Sequence, residues 1–220
     1  MKLVFHGGGY DRDNRELNLK AIELSGEKKP VIAYIPAQSY DSEVDFRDFV
    51  KEHQKYGLRQ FLYFPIDYPF DNTLKRELLK ADIIHLSGGN TFHFLKYLKE
   101  HKVFNDLKNF AKKGGILTGL SAGAIVMTPR ISAATYPDFD CDENEVGLLN
   151  FTGMGLVKFE FFPHYSNSRR YDDELKKQSL KLKYPLYAAP DGAGVIVEED
   201  KIKFVGKVAC FFQGKKMFMN

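Results

Sequence analysis

The sequence predicts an α/β protein, three layers deep, with a mostly parallel sheet covered by helices on both faces. Three observations carry this. Short apolar runs alternate with amphipathic stretches from the start of the chain to about residue 127. Several runs end in glycines, as Leu3–His6 ends in Gly7-Gly8-Gly9 and Ile83–Leu86 in Ser87-Gly88-Gly89-Asn90. Breakers such as Pro36 and Gly57 fall between the runs and not inside them.

In order, Leu3–His6 reads as a strand and Asn14–Leu24 as a helix with Leu17, Ala21 and Leu24 on one face. Val31–Ile35 is a second strand. Ser42 opens a helix carrying Val44, Phe46, Phe49 and Val50. Gln60–Phe64 is a third strand, and Thr73–Lys80 a short helix. Ile83–Leu86 is a fourth strand, followed by helices over Thr91–Lys99 and Phe104–Ala111. Gly115–Leu120 is a fifth strand that runs straight into Ser121. Residues 128–150 show no periodic element, and a stretch of that length in a compact fold is usually functional or mobile. Leu156–Phe162 and Leu186–Ala189 read as strands, with a helix over Tyr171–Lys183 between them. Val195–Val197 and Ile202–Val205 form a closing hairpin through Glu198-Glu199-Asp200. One domain over 1–220 is expected.

Composition narrows the function. Lys+Arg 32 against Asp+Glu 29 leaves a net +3, without the basic stripe of a nucleic-acid binder. The one dense basic stretch, Lys176, Lys177, Lys181 and Lys183, reads as the solvated face of a helix. Cys141 and Cys210 lack zinc-ligand spacing, so no metal is expected. No apolar run approaches the roughly 18 residues of a membrane span. A cytosolic protein with no membrane partner is expected.

The chemistry concentrates in Gly119-Leu120-Ser121-Ala122-Gly123. This G-x-S-x-G pattern follows an apolar strand and precedes the helix-like Ala124-Ile125-Val126-Met127. A strained strand-to-helix turn needs small neighbours, and it lifts a serine hydroxyl above the sheet's carboxyl edge. That hydroxyl needs a base. Among six histidines, His53 and His101 fall on charged helix surfaces, whereas His164 follows the apolar strand ending Phe161-Phe162-Pro163. The base needs an acid, and two are available: Asp138 in the irregular stretch, and Asp191 in Ala189-Pro190-Asp191-Gly192. The main-chain N–H groups of Gly88, Gly89 and Ala122 could form an oxyanion hole, with Asn90 or Thr91 capping the next helix. His6-Gly7-Gly8-Gly9 is a weaker copy of that loop. It lacks the G-x-G-x-x-G spacing of a dinucleotide site.

Together these segments resemble the peptidase E and cyanophycinase family of serine peptidases. The residues that carry the resemblance are Leu86-Ser87-Gly88-Gly89-Asn90-Thr91-Phe92, Gly119–Ala124, Pro163-His164-Tyr165 and Pro190-Asp191-Gly192. It implies a class I glutamine amidotransferase-like (flavodoxin-like) fold, with serine where those enzymes use cysteine. It implies Ser121 as nucleophile and His164 as base, hydrolysis next to an N-terminal aspartyl residue, and no cofactor. The acid stays open between Asp138 and Asp191. Arg169 and Arg170 are the candidates for pairing with the substrate carboxylate, beside Asn90 and Thr91. A small peptide partner and a monomer or homodimer are expected. The alternatives are a cyanophycinase-like β-aspartyl peptidase, an amidase or acyl transferase, and a non-catalytic binding domain on the same scaffold.

Overall fold

The computed structural model describes residues 1–199 and 201–219, so the Asp200 of the expected hairpin turn lies outside the described residues. The strands are β1 (Lys2–His6), β2 (Val31–Ile35), β3 (Gln60–Tyr63), β4 (Ile83–Leu86), β5 (Ile116–Leu120), β6 (Glu160–Phe162), β7 (Leu186–Ala188), β8 (Gly194–Glu198), β9 (Lys201–Val205), β10 (Ala209–Phe212) and β11 (Lys215–Phe218). The helices are α1 (Arg15–Ser25), α2 (Ser42–Lys55), α3 (Asn72–Leu78), α4 (Thr91–Glu100), α5 (Phe104–Lys112), α6 (Ala122–Met127) and α7 (Arg169–Ser179).

A seven-stranded sheet runs in the order β3-β2-β4-β5-β1-β8-β9. Its first five members are parallel, and the β8–β9 hairpin extends it antiparallel past β1. The period of two sorts the strand residues into two cores. Val4, Ile32, Ile83, Ile116 and Ile196 pack with Leu17, Ala21 and Leu24 of α1 and Phe49 of α2. On the other face Leu3, Phe5, Ile35, Ile84 and Leu117 pack with Leu95 of α4, Leu107 of α5, Ala124 of α6, and Phe161 and Phe211 of a second sheet. Each fully buried Phe or Leu there stabilises the fold by roughly 1.5–3 kcal/mol. The expected mixed α/β class holds, with a large, mostly parallel sheet.

The second half departs from expectation. Strand β6 covers only Glu160–Phe162, because the chain before it bonds elsewhere: the Gly155 and Leu156 N–H groups donate to Thr128 and Met127 carbonyls at 2.9 and 3.1 Å. Helix α7 starts at Arg169 and ends at Ser179, so Lys181 and Lys183 lie beyond it. The β8–β9 hairpin does not close the fold. A further hairpin, β10–β11, joins β7 and β6 in a separate four-stranded sheet of order β11-β10-β7-β6. His53 is 4% exposed and not solvent-facing. Its ring stacks on Phe49 at 3.9 Å, and burial lowers its pKa to about 4. Within 128–150 only Ile131–Thr135 winds into a single 3-10 turn.

Candidate active site

Strands β4, β5 and β1 are adjacent, so their carboxyl ends bring three loops together: Ser87–Asn90, the turn at Ser121, and Gly7–Gly9. Such an edge is where open parallel sheets bind ligands. Ser121 sits at φ 50°, ψ −109°, a backbone conformation that a non-glycine residue holds at a cost of about 1–3 kcal/mol. The turn is pinned on both sides. The Ser121 N–H donates to the His6 carbonyl at 3.2 Å, and the Ser121 carbonyl accepts from the Ala124 and Ile125 N–H groups at 2.9 and 3.0 Å. The motif's glycines are there for space. A Cβ on Gly119 would lie 2.5 Å from the Gly123 main chain, and one on Gly123 would lie 2.1 Å from the Leu86 carbonyl oxygen.

His164 bridges two groups. Its Nε2 is 2.9 Å from Ser121 Oγ, and its Nδ1 is 2.8 Å from Asp191 Oδ1. With the proton on Nδ1, the ring donates to Asp191 and presents a lone pair to the serine hydroxyl. Of the two acids considered, the structure brings Asp191 to the ring and not Asp138. Asp138 is exposed, and its main-chain carbonyl faces the Cys141 thiol at 3.8 Å. The reason is the chain's path. The turn after β7 doubles back over the end of β1, where the Gly192 N–H donates to the Gly8 carbonyl at 3.2 Å and the Gly7 N–H to the Ala193 carbonyl at 2.8 Å. The His164 N–H in turn donates to the Gly7 carbonyl at 2.6 Å. The His164 and Asp191 side chains keep 49% and 57% of their exposure. Solvent therefore screens their attraction, and the geometry of the pair matters more than its Coulomb energy.

Beside Ser121 opens a cleft of about 470 Å³. Gly89, Thr91, Ile125, Ala133, Phe162 and Phe139 line it, with Asp140, Cys141 and Asp142 on one wall. Gly88 packs directly against Ser121: a Cβ there would sit 3.6 Å from Ser121 Cβ. Ala122 follows Ser121 as the first residue of α6. Asn90 does not line the cleft. Its Oδ1 accepts from the His93 N–H at 3.0 Å, capping α4, and its Nδ2 donates to the Glu143 carbonyl at 2.8 Å. The Thr91 N–H donates to Asp142 Oδ2 at 2.8 Å, so the start of α4 ties down the irregular stretch.

The arginines are engaged elsewhere. Arg169 is 94% exposed and pairs with Asp173 on its own helix at 3.4 Å. The Arg170 guanidinium lies over the Phe139 ring, 3.3 Å from its centre, at the rim and not among the lining residues. The Tyr171 hydroxyl donates to Asp140 Oδ2 at 2.6 Å. Burial, with that carboxylate beside it, pushes the Tyr171 phenol up to about 12. Among the described residues no group of three or more His, Cys, Asp or Glu could hold a metal ion.

The sequence reading missed the Gly7–Gly9 loop as part of this site. A Cβ on Gly8 would fall 2.2 Å from Asp191 Oδ1 and 2.3 Å from His164 Nδ1. The signal was present, a glycine run at the carboxyl end of an apolar strand. Its position beside Ser121 depends on β1 pairing with β5, which the order of elements alone does not settle.

Fold and site define the class: an α/β protein with a serine–histidine–aspartate hydrogen-bonded chain at the carboxyl edge of a parallel sheet. The chain belongs to peptidase family S51, whose model matches residues 3–205, and it is a peptidase by that membership. It is 28% identical to Peptidase E of Nostoc sp. over 84% of this chain and 76% of that one. It is 26% identical to an uncharacterized peptidase of Bacillus subtilis over 91% of this chain and 84% of that one. Among solved structures, a peptidase from an acI-B1 Actinobacterium superposes with a TM-score of 0.75 at 19% identity, covering 99% and 93% of the two chains. A chain from Listeria monocytogenes EGD-e gives 0.75 at 21% identity, covering 93% and 97%. At those identities the two structures speak for the fold alone.

Proposed function

We propose that the chain is a serine-type peptidase for short peptides. Ser121 is the nucleophile, His164 the general base and acid, and Asp191 the group that orients the imidazole. One observation carries the reading: His164 bonds both Ser121 Oγ and Asp191 Oδ1, one through each ring nitrogen. In this scheme Ser121 Oγ attacks the scissile carbonyl carbon while its proton passes to His164 Nε2. The N–H groups of Gly88, Gly89 and Ala122 are the donors this scheme assigns to the developing oxyanion. The protonated ring then gives that proton to the leaving amine, and the C–N bond breaks. Water, deprotonated by the same nitrogen, hydrolyses the acyl-enzyme.

For substrate class, the family resemblance supports peptides with an N-terminal aspartyl residue. A second reading has its own support. The cleft wall carries Asp140 and Asp142, and no Lys or Arg is among its lining residues. That charge pattern suits a first residue bearing a cation better than one bearing a carboxylate. The test is kcat/KM for Asp-Leu, Asn-Leu and Lys-Leu, with fluorophosphonate labelling run alongside. Asp-Leu far ahead supports the aspartyl reading; Lys-Leu ahead supports the cationic one. Absence of both labelling at Ser121 and turnover of any peptide overturns the serine-peptidase reading.

A further inference from the structure

We infer that Asn14 is a positioning residue for the His164–Asp191 pair, acting through the main chain of Gly8. The inference rests on the catalytic roles proposed above. Asn14 directly precedes α1, where an Asn side chain ordinarily accepts a helix N–H. Here its side chain makes no cap bond. Its Nδ2 instead donates to the Gly8 carbonyl at 3.0 Å and to the Tyr10 carbonyl at 3.1 Å. Asn14 is only 2% exposed, so these donations are made away from solvent. Its Oδ1 lies beside the His6 imidazole: burial lowers that ring's pKa to about 4, and the Asn14 side chain partly offsets the shift.

The Gly8 carbonyl is a junction. It also accepts from the Gly192 N–H at 3.2 Å, next to Asp191 in the chain. The Gly8 Cα faces the His–Asp hydrogen bond so closely that a Cβ would lie 2.2 Å from the aspartate oxygen and 2.4 Å from His164 Cε1. The Asn14 amide thus fixes the floor on which both rest. The pair's side chains are half exposed, so its placement rests on the main chain beneath it. A displacement of about 1 Å at a reacting group lowers rate by about 100-fold, so loosening this floor has a kinetic signature.

The same helix supplies a control. Asn18 is 4% exposed, and its Nδ2 donates to the Asp11 carbonyl at 3.2 Å, but no hydrogen bond joins it to Gly8. The experiment measures kcat, KM, fluorophosphonate labelling rate and Tm for wild type, Asn14→Ala, Asn14→Asp and Asn18→Ala. Asn14→Asp keeps the shape but, ionised, donates to neither carbonyl and, protonated, to only one of Gly8 and Tyr10, so it reports even where the alanine variant fails to fold. Expected is a 10- to 100-fold fall in kcat and in labelling rate for the Asn14 variants, in line with a misplacement of about 1 Å or less, with KM nearly unchanged. Asn18→Ala should stay within about threefold of wild type, since it removes a bond to the Asp11 carbonyl and none to Gly8. Equal losses at Asn14 and Asn18 for the same fall in Tm overturn the inference, as does a wild-type kcat in both Asn14 variants. If wild type itself is not labelled at Ser121, the catalytic reading beneath it fails instead.

Discussion

Gly8→Ala is the most direct test of the geometry around His164. The new Cβ would stand 2.2 Å from Asp191 Oδ1, 2.3 Å from His164 Nδ1 and 2.4 Å from His164 Cε1. Non-bonded heavy atoms settle at about 3.5 Å, so the pair must retreat by about 1 Å. A shift of that size lowers kcat by about 100-fold, and outright loss of Asp191 from the ring by about 10²–10³-fold, the figure for a half-exposed partner. Gly8 also holds φ 138°, where a side chain adds about 1–3 kcal/mol of strain. Gly26→Ala separates the two effects. Gly26 has φ 71°, but nothing lies within 4 Å of its would-be Cβ, and it caps α1 away from the cleft. The assay is kcat and KM on the best dipeptide of the panel, with Tm beside them. Expected is a lower Tm in both variants and lost turnover only in Gly8→Ala. Turnover within threefold of wild type in Gly8→Ala, or equal loss in Gly26→Ala, refutes the argument.

Ser121→Ala should abolish labelling and lower kcat by at least about 10⁴-fold with Tm little changed, because one oxygen is removed and the turn is kept; near-wild-type turnover rules out the nucleophile. Asp191→Ala should cost about 10²–10³-fold, less than a buried triad acid, since Asp191 is 57% exposed, and Asp138→Ala should cost little; the reverse order in kcat moves the acid to Asp138. Glu160 is 4% exposed with Oε2 unpartnered, and burial raises its pKa from 4.5 to about 7. The folded state therefore holds that proton more tightly than the unfolded chain, and the resulting stability is full below pH 4.5 and lost as pH rises through 7. Glu160→Gln should gain Tm relative to wild type from pH 4.5 to 8, and a pH-independent difference refutes the assignment.

How much of this was legible in the sequence depends on whether the information was local. Strands β1 to β5 were readable because each is an apolar run closed by Gly, Pro or Ser at a definable residue. Ser121 was readable because its turn needs small residues at fixed offsets, and the Gly119 and Gly123 contacts show what that spacing is for. The β10–β11 hairpin was not read. Its strands are four residues each, and β11 alternates exposed Lys215 and Met217 with no apolar run to mark it. His53 misled for a similar reason: a helix rich in Glu, Asp, Lys and Arg looks solvated at every position, yet one stripe of it packs on Tyr34 and His85 through Phe49.

The choice between Asp138 and Asp191 was beyond any local signal, because it depends on which loop crosses the end of β1. Asp-Gly is a turn signal wherever it occurs. It becomes the partner of a histidine here because Gly7 and Gly8 have no side chains. A Cβ on Gly7 would lie 2.4 Å from the Pro190 carbonyl oxygen, so the Pro190-Asp191-Gly192 turn can approach only over bare backbone. The N-terminal glycine run and the late Asp-Gly turn are therefore one feature written in two places, some 180 residues apart. A variant restoring bulk at Gly7 should push that turn away from His164 and leave the Ser121 elbow itself intact, since the Ser121 N–H bonds the carbonyl of His6 and not of Gly7. Labelling should then slow with the elbow unmoved, which places the requirement for glycine in the pairing of His164 with Asp191 and not in the turn at Ser121.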